Sequence, residues 1–414
     1  MHGQYLAGGD SLWIDTVRVF GNVRTRTEII LRELEFGPGD CVTPASLRRA
    51  ENHLRNLKLF THVDFRVIRK PNRHADLEIR VWERMSRMPV PVLFMNERDW
   101  KKWSYGLGYY DTNLHGRGET LWLAGWLGYN PGFEISYNNR WFGGRHRLYS
   151  RANLMFQTVQ SKMPEYRKVG EKHRKASFTL GKRRGYEWYA DVTVTFDRIG
   201  IPVKELRWES TRRWENTLSG AVQLKKDSRD LWDFPRSGGL WTFEVSRTEL
   251  LGSPLFFDRF KLDLREYLPV GREILAFRLM AAHSRGTVPS YQRLYFGYDE
   301  RLRGHFNEVF SGDGQAFAGA EWRIPLLRDR PLQMPVPPDY KIYFQRMKYS
   351  LYLTLFLESG SVWEQDEAPL RTHWYSGSGI GLNVVLPYSA VLRIEYAWNE
   401  RGRGELIIDA MTAF

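Results

Sequence analysis

The segment LYLTLFLESG puts Leu351, Leu353, Leu355 and Leu357 on one parity and Tyr352, Thr354, Phe356 and Glu358 on the other. Side chains alternate between the two faces of a β-strand, so one face here is wholly apolar and the other ends in a charge. DVTVTFD, RFKLDLRE and VLRIEYAW repeat the scheme, with Val192, Val194 and Phe196, then Phe260, Leu262 and Leu264, then Leu392, Ile394 and Tyr396 on the apolar side. Opposite them stand Asp191 and Asp197, then Lys261, Asp263 and Arg265, then Arg393 and Glu395. A soluble sandwich needs a partner sheet over each apolar face, and charges of both signs at successive inward positions are intolerable in a dry core. They are ordinary in a water-filled lumen, and a closed ring leaves no unpaired backbone edge in lipid. The pattern predicts a closed transmembrane β-barrel.

Composition agrees. No stretch approaches the roughly 18 apolar residues of a membrane helix. The mean hydropathy of −0.49 suits a barrel, whose strands face lipid only at every second residue. The 16 Trp, 21 Tyr and 23 Phe suit aromatic girdles at two membrane interfaces. The formal charge of +13 raises a nucleic-acid partner, but the cations are interleaved with acids, as in KLDLRE and LRIEYAWNER, and form no basic patch. They read as a solvated or lumenal face, with anionic lipid headgroups as the contact outside. A single cysteine, Cys41, excludes an intramolecular disulfide and a cysteine-based zinc site. MHGQYLAGGD has neither the basic start nor the apolar core of a secretory signal, so an export signal is expected to have been removed or to lie outside this sequence.

Two periods divide the chain. Residues 11–85 read as a compact βααββ unit. SLWIDTVRVFGN gives a first strand with Ile14 and Thr16 on one side and Val17 and Val19 on the other, and Gly21-Asn22 turns the chain. TRTEIILRELEF places Ile29, Ile30, Leu34 and Phe36 near helical spacing, with Thr25 or Thr27 as N-cap and Gly37-Pro38-Gly39 as a stop. A second helix has Pro44 in its first turn and Leu47, Ala50, Leu54 and Leu57 on one stripe. THVDFRVIRK and ADLEIRVWER close the unit as strands, the latter alternating Leu77, Ile79 and Val81 with Glu78, Arg80 and Trp82.

Over 86–414 the helical period vanishes, and strands about ten residues long end in Gly, Pro, Asn or Asp clusters. With the weak IPVKELRWESTRR read as a loop, about sixteen strands remain, an even number as bacterial barrels require. The intervals near 157–172 and 285–314 read as extracellular loops, since periplasmic turns are short in this class. The alternation persists to the end: Leu406, Ile408, Ala410, Thr412 and Phe414 share one side, Glu405 and Asp409 the other. Phe414 is therefore expected to close the last strand with its ring at the membrane interface.

Longer stretches carry a resemblance. VRVFGNVRTRTEIILREL, Gly39-Asp40 and LRNLKLFTHVDFRV resemble a POTRA domain. DTNLHGRGE, DSRDLWDFPRSGG, YFGYDERLRGHF, AEWRIPLL, FLESG, GSGIGL and the terminal Phe414 resemble the C-terminal surface-antigen-type β-barrel of the BamA/TamA outer-membrane protein assembly superfamily. The resemblance implies an antiparallel barrel of about 16 strands preceded by one POTRA-like domain. It also implies a loop folded back into the lumen with Arg303, Gly304 and His305 at its tip, where the family pattern has Phe or Tyr in place of His305. The loop's partner strand would hold Phe356, Glu358 and Gly360, and Leu406, Ile408 and Phe414 would form the closing-strand signal. The physics is independent of family: a guanidinium fork suits a carboxylate, a glycine permits the tight turn beside it, and such a pair can hold a long loop against its entropy.

The function implied is insertion or export of other proteins without nucleotide hydrolysis, by lateral opening between the first and last strands. Pro89 and Pro91 in the first strand and Gly402 and Gly404 at the start of the closing strand make a weak seam plausible. A POTRA sheet edge, THVDFRVIRK or ADLEIRVWER, would take up an extended chain. A two-partner-type secretion pore or gated passive channel is the alternative. No enzyme is expected: YSGSGIG has its glycines out of register for a nucleophile elbow, there is no H-E-x-x-H, and His115, His283 and His373 are isolated. Gly116-Arg117-Gly118 reads as a turn rather than a phosphate cradle. No cofactor, metal or nucleic acid is expected. The expected partners are outer-membrane lipids, unfolded outer-membrane or secreted proteins and accessory periplasmic or lipoprotein subunits, and the expected location is a bacterial rather than an organellar outer membrane.

Overall fold

The computed structural model describes residues 11–96, 101–166, 168–209, 211–298, 300–333 and 335–410. Its N-terminal domain runs β1 (Leu12–Phe20), α1 (Thr27–Leu31), β2 (Cys41–Val42), α2 (Pro44–Asn56), β3 (Phe60–Arg69) and β4 (His74–Glu83). The βααββ order stands, with the two-residue β2 added to it. The sheet order is β2-β1-β4-β3, with β1 parallel to β4. ADLEIRVWER is therefore internal, and of the two strands considered as an edge only β3 is one. Thr43 caps α2 by accepting from Ser46 N at 3.2 Å while Ser46 Oγ accepts from Thr43 N at 2.9 Å, a reciprocal box that Pro44 completes.

Two local expectations fail for identifiable reasons. α1 is a single turn capped by the backbone of Arg26 with no side-chain bond, and Leu34 and Phe36 reach the core from the turns beyond it. Thr25 does not cap it: its hydroxyl instead accepts from Asn113 Nδ2 at 2.9 Å. In β1 the register shifts between Ile14 and Thr16, and this bulge reverses the parity, so Val17 and Val19 pack on the same core as Leu12 and Ile14. Leu47, Leu54, Leu77 and Ile79 are fully buried at its centre. Leu54→Ala should cost this domain about 2–5 kcal/mol, read as faster hydrogen exchange of α2 in the full chain.

The second unit is one antiparallel sheet of sixteen strands. Its first eleven are β5 (Arg87–Met95), β6 (Trp103–Leu114), β7 (Glu119–Gly128), β8 (Gly132–Phe142), β9 (Leu148–Gln160), β10 (Gly170–Arg184), β11 (Trp188–Gly200), β12 (Trp214–Asp227), β13 (Gly238–Leu250), β14 (Phe256–Val270) and β15 (Glu273–Gly286). A small hairpin, β16 (Leu294–Phe296) and β17 (Phe310–Gly312), lies outside the sheet. The sheet then resumes with β18 (Gly314–Pro331), β19 (Lys348–Trp363), β20 (Tyr375–Val385), β21 (Val391–Asn399) and β22 (Gly404–Ala410). Every sheet strand pairs with its neighbour in sequence, β18 following β15 across the hairpin. Among the described residues no ladder joins β5 to β22.

The parities hold. Val192, Val194, Phe196, Phe260, Leu262, Leu355, Leu357, Leu392, Ile394, Tyr396, Leu406 and Ile408 are exposed on the outside, while Tyr352, Thr354, Phe356, Glu358, Arg393 and Glu395 are buried inside. Phe414 lies outside the described residues. The stretch 201–213 is a loop with one helical turn at Lys204–Leu206, as expected. The long connections 161–169 and 287–313 leave the sheet at the rim away from the N-terminal domain, the second folding back into the lumen, but two on the domain's side, 228–237 and 332–347, are also long. They are not bare turns: each packs against that domain, through Asn56 and Lys58 in the first case and an Arg346–Trp82 stack in the second.

The domain closes the barrel's near mouth. Glu33 pairs with Arg183 at 3.0 Å, Arg24 with Asp111 at 2.9 Å, and Arg140 donates to Leu57 O at 3.2 Å. The Gly116-Arg117-Gly118 turn serves this joint, Gly116 O accepting from Arg26 N at 2.9 Å. The polar face of α2 forms one wall of a cavity of about 1180 Å3 bounded by the inner faces of β8 to β14. The side of the lumen beside β18 to β22 is filled by the loop that carries the hairpin.

Candidate functional site: a lumenal clasp

The loop between β15 and β18 enters the lumen because its two ends are tied into a hairpin, leaving 297–309 as a compact turn. Gly297 and Gly304 both have φ near +95°, at +98° and +95°, which a side chain resists. Short backbone bonds, His305 N to Leu302 O and Glu308 N to His305 O, each 3.1 Å, fix the tip. Leu302 anchors it in an apolar cluster with Phe234, Tyr267, Phe296, Phe317 and Tyr352, and Phe306 in another with Phe356, Ala397 and Ile407.

Arg303 projects between three carboxylates. Its backbone N and Nε donate to Glu358 Oε2 and Oε1 at 2.9 and 2.7 Å, and Nη2 also meets Glu358. Nη1 lies 2.9 Å from Glu321 Oε1 and 2.9 Å from Glu395 Oε1. The guanidinium carbon stands 3.7 Å from the Phe356 ring centroid, adding a cation–π contact from the strand that supplies Glu358. Arg323 returns charge to Glu321 at 2.6 Å, and Arg393 to Glu395 at 2.9 Å and to Asp409 at 2.7 Å. Arg303, Glu321, Glu358 and Glu395 are each 3% exposed or less, so their charges depend on this pairing, with Arg323 and Arg393 balancing the two further carboxylates.

The structure thus brings Arg303, Phe356 and Glu358 together. Gly304 turns the tip and donates to Glu405 Oε1 at 2.8 Å, and Phe306 N shares that acceptor at 2.9 Å. His305 is buried edge-on to Phe310 and Tyr375, with its ring nitrogens 3.1 Å from Glu308 and 2.7 Å from Glu400. Imidazole therefore keeps an aromatic contact and adds polar ones. Gly360 does not touch Arg303; a side chain there would strike the Phe296 ring. Leu406 and Ile408 face outward. Glu321, Glu395, Glu405 and Gly377 are the members that sequence reasoning missed as partners of the tip, although the inward parity of VLRIEYAW already pointed Glu395 into the lumen.

Residues 113–405 match the Omp85 superfamily domain. The chain belongs to the Omp85 superfamily. Its residues 14–84 match the POTRA family, described as the surface antigen variable number repeat. A curated relative, the outer membrane protein assembly factor BamA of Nitratidesulfovibrio vulgaris, is 24% identical over 348 residues, covering 75% of this chain but 41% of the relative. This Omp85 chain therefore spans well under half the length of that protein. Among solved structures, BamA from Haemophilus ducreyi lacking POTRA domains 1–3 superimposes with a TM-score of 0.56 at 16% identity, covering 97% of this chain and 84% of that one. CdiB from Acinetobacter baumannii gives 0.54 at 15%, covering 97% and 73%. These two likenesses speak to the fold. An Omp85 barrel behind a POTRA domain places the chain in the bacterial outer membrane with the POTRA domain on the periplasmic side.

Proposed function

We propose that this Omp85 protein inserts or exports unfolded outer-membrane or secreted proteins without nucleotide hydrolysis, by opening the barrel between β5 and β22 while Arg303 holds the loop in the lumen. Residues 11–85 act as the periplasmic receiver and 86–414 as the membrane device. The reading rests on one observation above all: the sheet ends in two strands that, among the described residues, each pair on one side only, while the lumen beside β22 is occupied by the loop. Pro89 and Pro91 withhold ladder donors from β5, which weakens any seam it forms. In the POTRA domain β3 is the sheet edge on which an extended cargo chain would add by backbone pairing.

The test is a disulfide across the seam. Val90 and Val92, on the inward parity of β5, are each paired by cysteine substitution with Ile407, which is buried on the inner face of β22, in a Cys41→Ser background because Cys41 is exposed. Oxidation should abolish assembly of a barrel substrate in reconstituted vesicles, and reduction should restore it. Full assembly by completely cross-linked protein would rule lateral opening out.

A gated pore is the second reading, favoured by the polar cavity of about 1180 Å3 between α2 and β8 to β14. Single-channel recording separates the two. A pore should show steady large steps once the POTRA domain swings away, whereas the insertase should stay closed.

A further inference from the structure

The segment DSRDLWDFPRSGG, residues 227–239, touches both the POTRA domain and the residues that support the clasp. At its start the side chain of Asn56, the last residue of α2, brackets it: Nδ2 donates to Asp230 O at 3.1 Å and Oδ1 accepts from Trp232 N at 3.1 Å. Lys58 pairs with Asp233 beside this. The segment is stiff, because Asp230 Oδ1 accepts from the backbone N of Leu231 and Arg236 at 2.8 Å each and of Ser237 at 3.2 Å. Its far side enters the barrel. Phe234 is 3% exposed, with its ring 4.7 Å from that of Tyr352, in the same cluster as Leu302 of the loop. The Arg323 guanidinium lies 4.8 Å from the Phe234 centroid and holds Glu321, which in turn grips Arg303.

We propose that this segment couples the docking of the POTRA domain to the seating of the lumenal loop, with Phe234 and Arg323 as positioning residues. When α2 is docked, Asn56 and Lys58 hold the segment so that Phe234 supports both Leu302 and the Arg323 that orients Glu321. When the domain leaves, the segment loses its bracket, Phe234 loses its fixed place, and Glu321 is no longer aimed at Arg303. Each step is a direct contact between packed groups, and the element that both sites bias is the loop, seated or released. By reciprocity, unseating the loop must loosen the domain by the same factor.

This rests on the reading of Arg303 as the loop's clasp and not on the seam, since the readout needs no cargo and no ring opening. In the full chain in detergent, tryptic cleavage after Arg301 and after Arg303, which is 2% exposed while the loop is seated, reports loop release. Undocking is read separately, as tryptic cleavage after Arg84 or Arg87 between the two units. Asn56→Ala/Lys58→Glu should raise both loop signals about tenfold, within the usual range of coupling between sites. Phe234→Leu, chosen to keep the cluster filled, should move them the same way. Combined with Arg303→Lys, the two domain substitutions should add much less than they do alone. Loop signals that stay at the parent level while cleavage after Arg84 or Arg87 rises, or effects that simply add, would overturn the coupling.

Discussion

Arg303→Ala should free the lumenal loop. The substitution leaves Glu321, Glu358 and Glu395 facing one another with little water to screen them, and removes the guanidinium packed on Phe356. Breaking a buried ion pair by deleting one partner costs about 3–5 kcal/mol, because the charge left behind is uncompensated. That is enough to shift the seated loop toward release by two or more orders of magnitude. The expected observations are rapid proteolysis within 297–309 and a higher, noisier conductance as the plug leaves, with the barrel still folded. Arg303→Lys should rescue little, since one compact ammonium cannot reproduce a planar fork that spans three carboxylates and a ring. Glu358→Gln should fall between, because it keeps the acceptor for the Arg303 backbone N while removing the charge. Protease resistance and conductance unchanged in Arg303→Ala would mean that the apolar anchors Leu302 and Phe306 hold the loop unaided.

Gly377→Ala should produce the same release with every charge intact. Gly377 is on β20 where the tip crosses the wall, and a Cβ there would overlap the Arg303 carbonyl oxygen and lie 2.7 Å from its carbon. Both are backbone atoms, so no side chain can swing aside, and either the tip or the strand must move. Gly402→Ala is the matched control. Gly402 has φ of +72° but open space around it, so its substitution carries only the backbone strain of about 1–2 kcal/mol and should leave the loop seated. Equal protease sensitivity in the two variants would show that the close approach at Gly377 does not hold the tip.

Alternation along single strands was legible because it reflects which solvent each face meets, and about sixteen strands, with the inward and outward faces of β11, β14, β19, β21 and β22, followed from it. The α2 stripe and its start at Pro44 were legible for the same local reason. What could not be read were relations between strands. Which of β3 and β4 lies at the sheet edge depends on a parallel β1–β4 pairing across more than fifty residues of chain, and no feature of either strand announces it. The bulge at Asp15 reversed one strand's parity, and the sequence there carries neither the Gly nor the Pro that would have marked it. The clasp was readable as one arginine and one glutamate through resemblance. Its further carboxylates stand on strands adjacent in the sheet but 18 to 102 residues away from Arg303 in sequence, so only the folded wall assembles them. The long connections on the POTRA side broke the expectation of short turns because that rim is not free: it is a joint.

The tip's grip on Glu405 carries a mechanical consequence. Glu405 is on β22 itself, the strand at the end of the sheet, and it is the acceptor for two amides, those of Gly304 and Phe306. Any outward swing of β22 therefore strips an acceptor from a nearly dry tip, at roughly 1–3 kcal/mol for each donor left empty. The proposed gate is therefore latched from within: the last strand cannot leave until both of these bonds break.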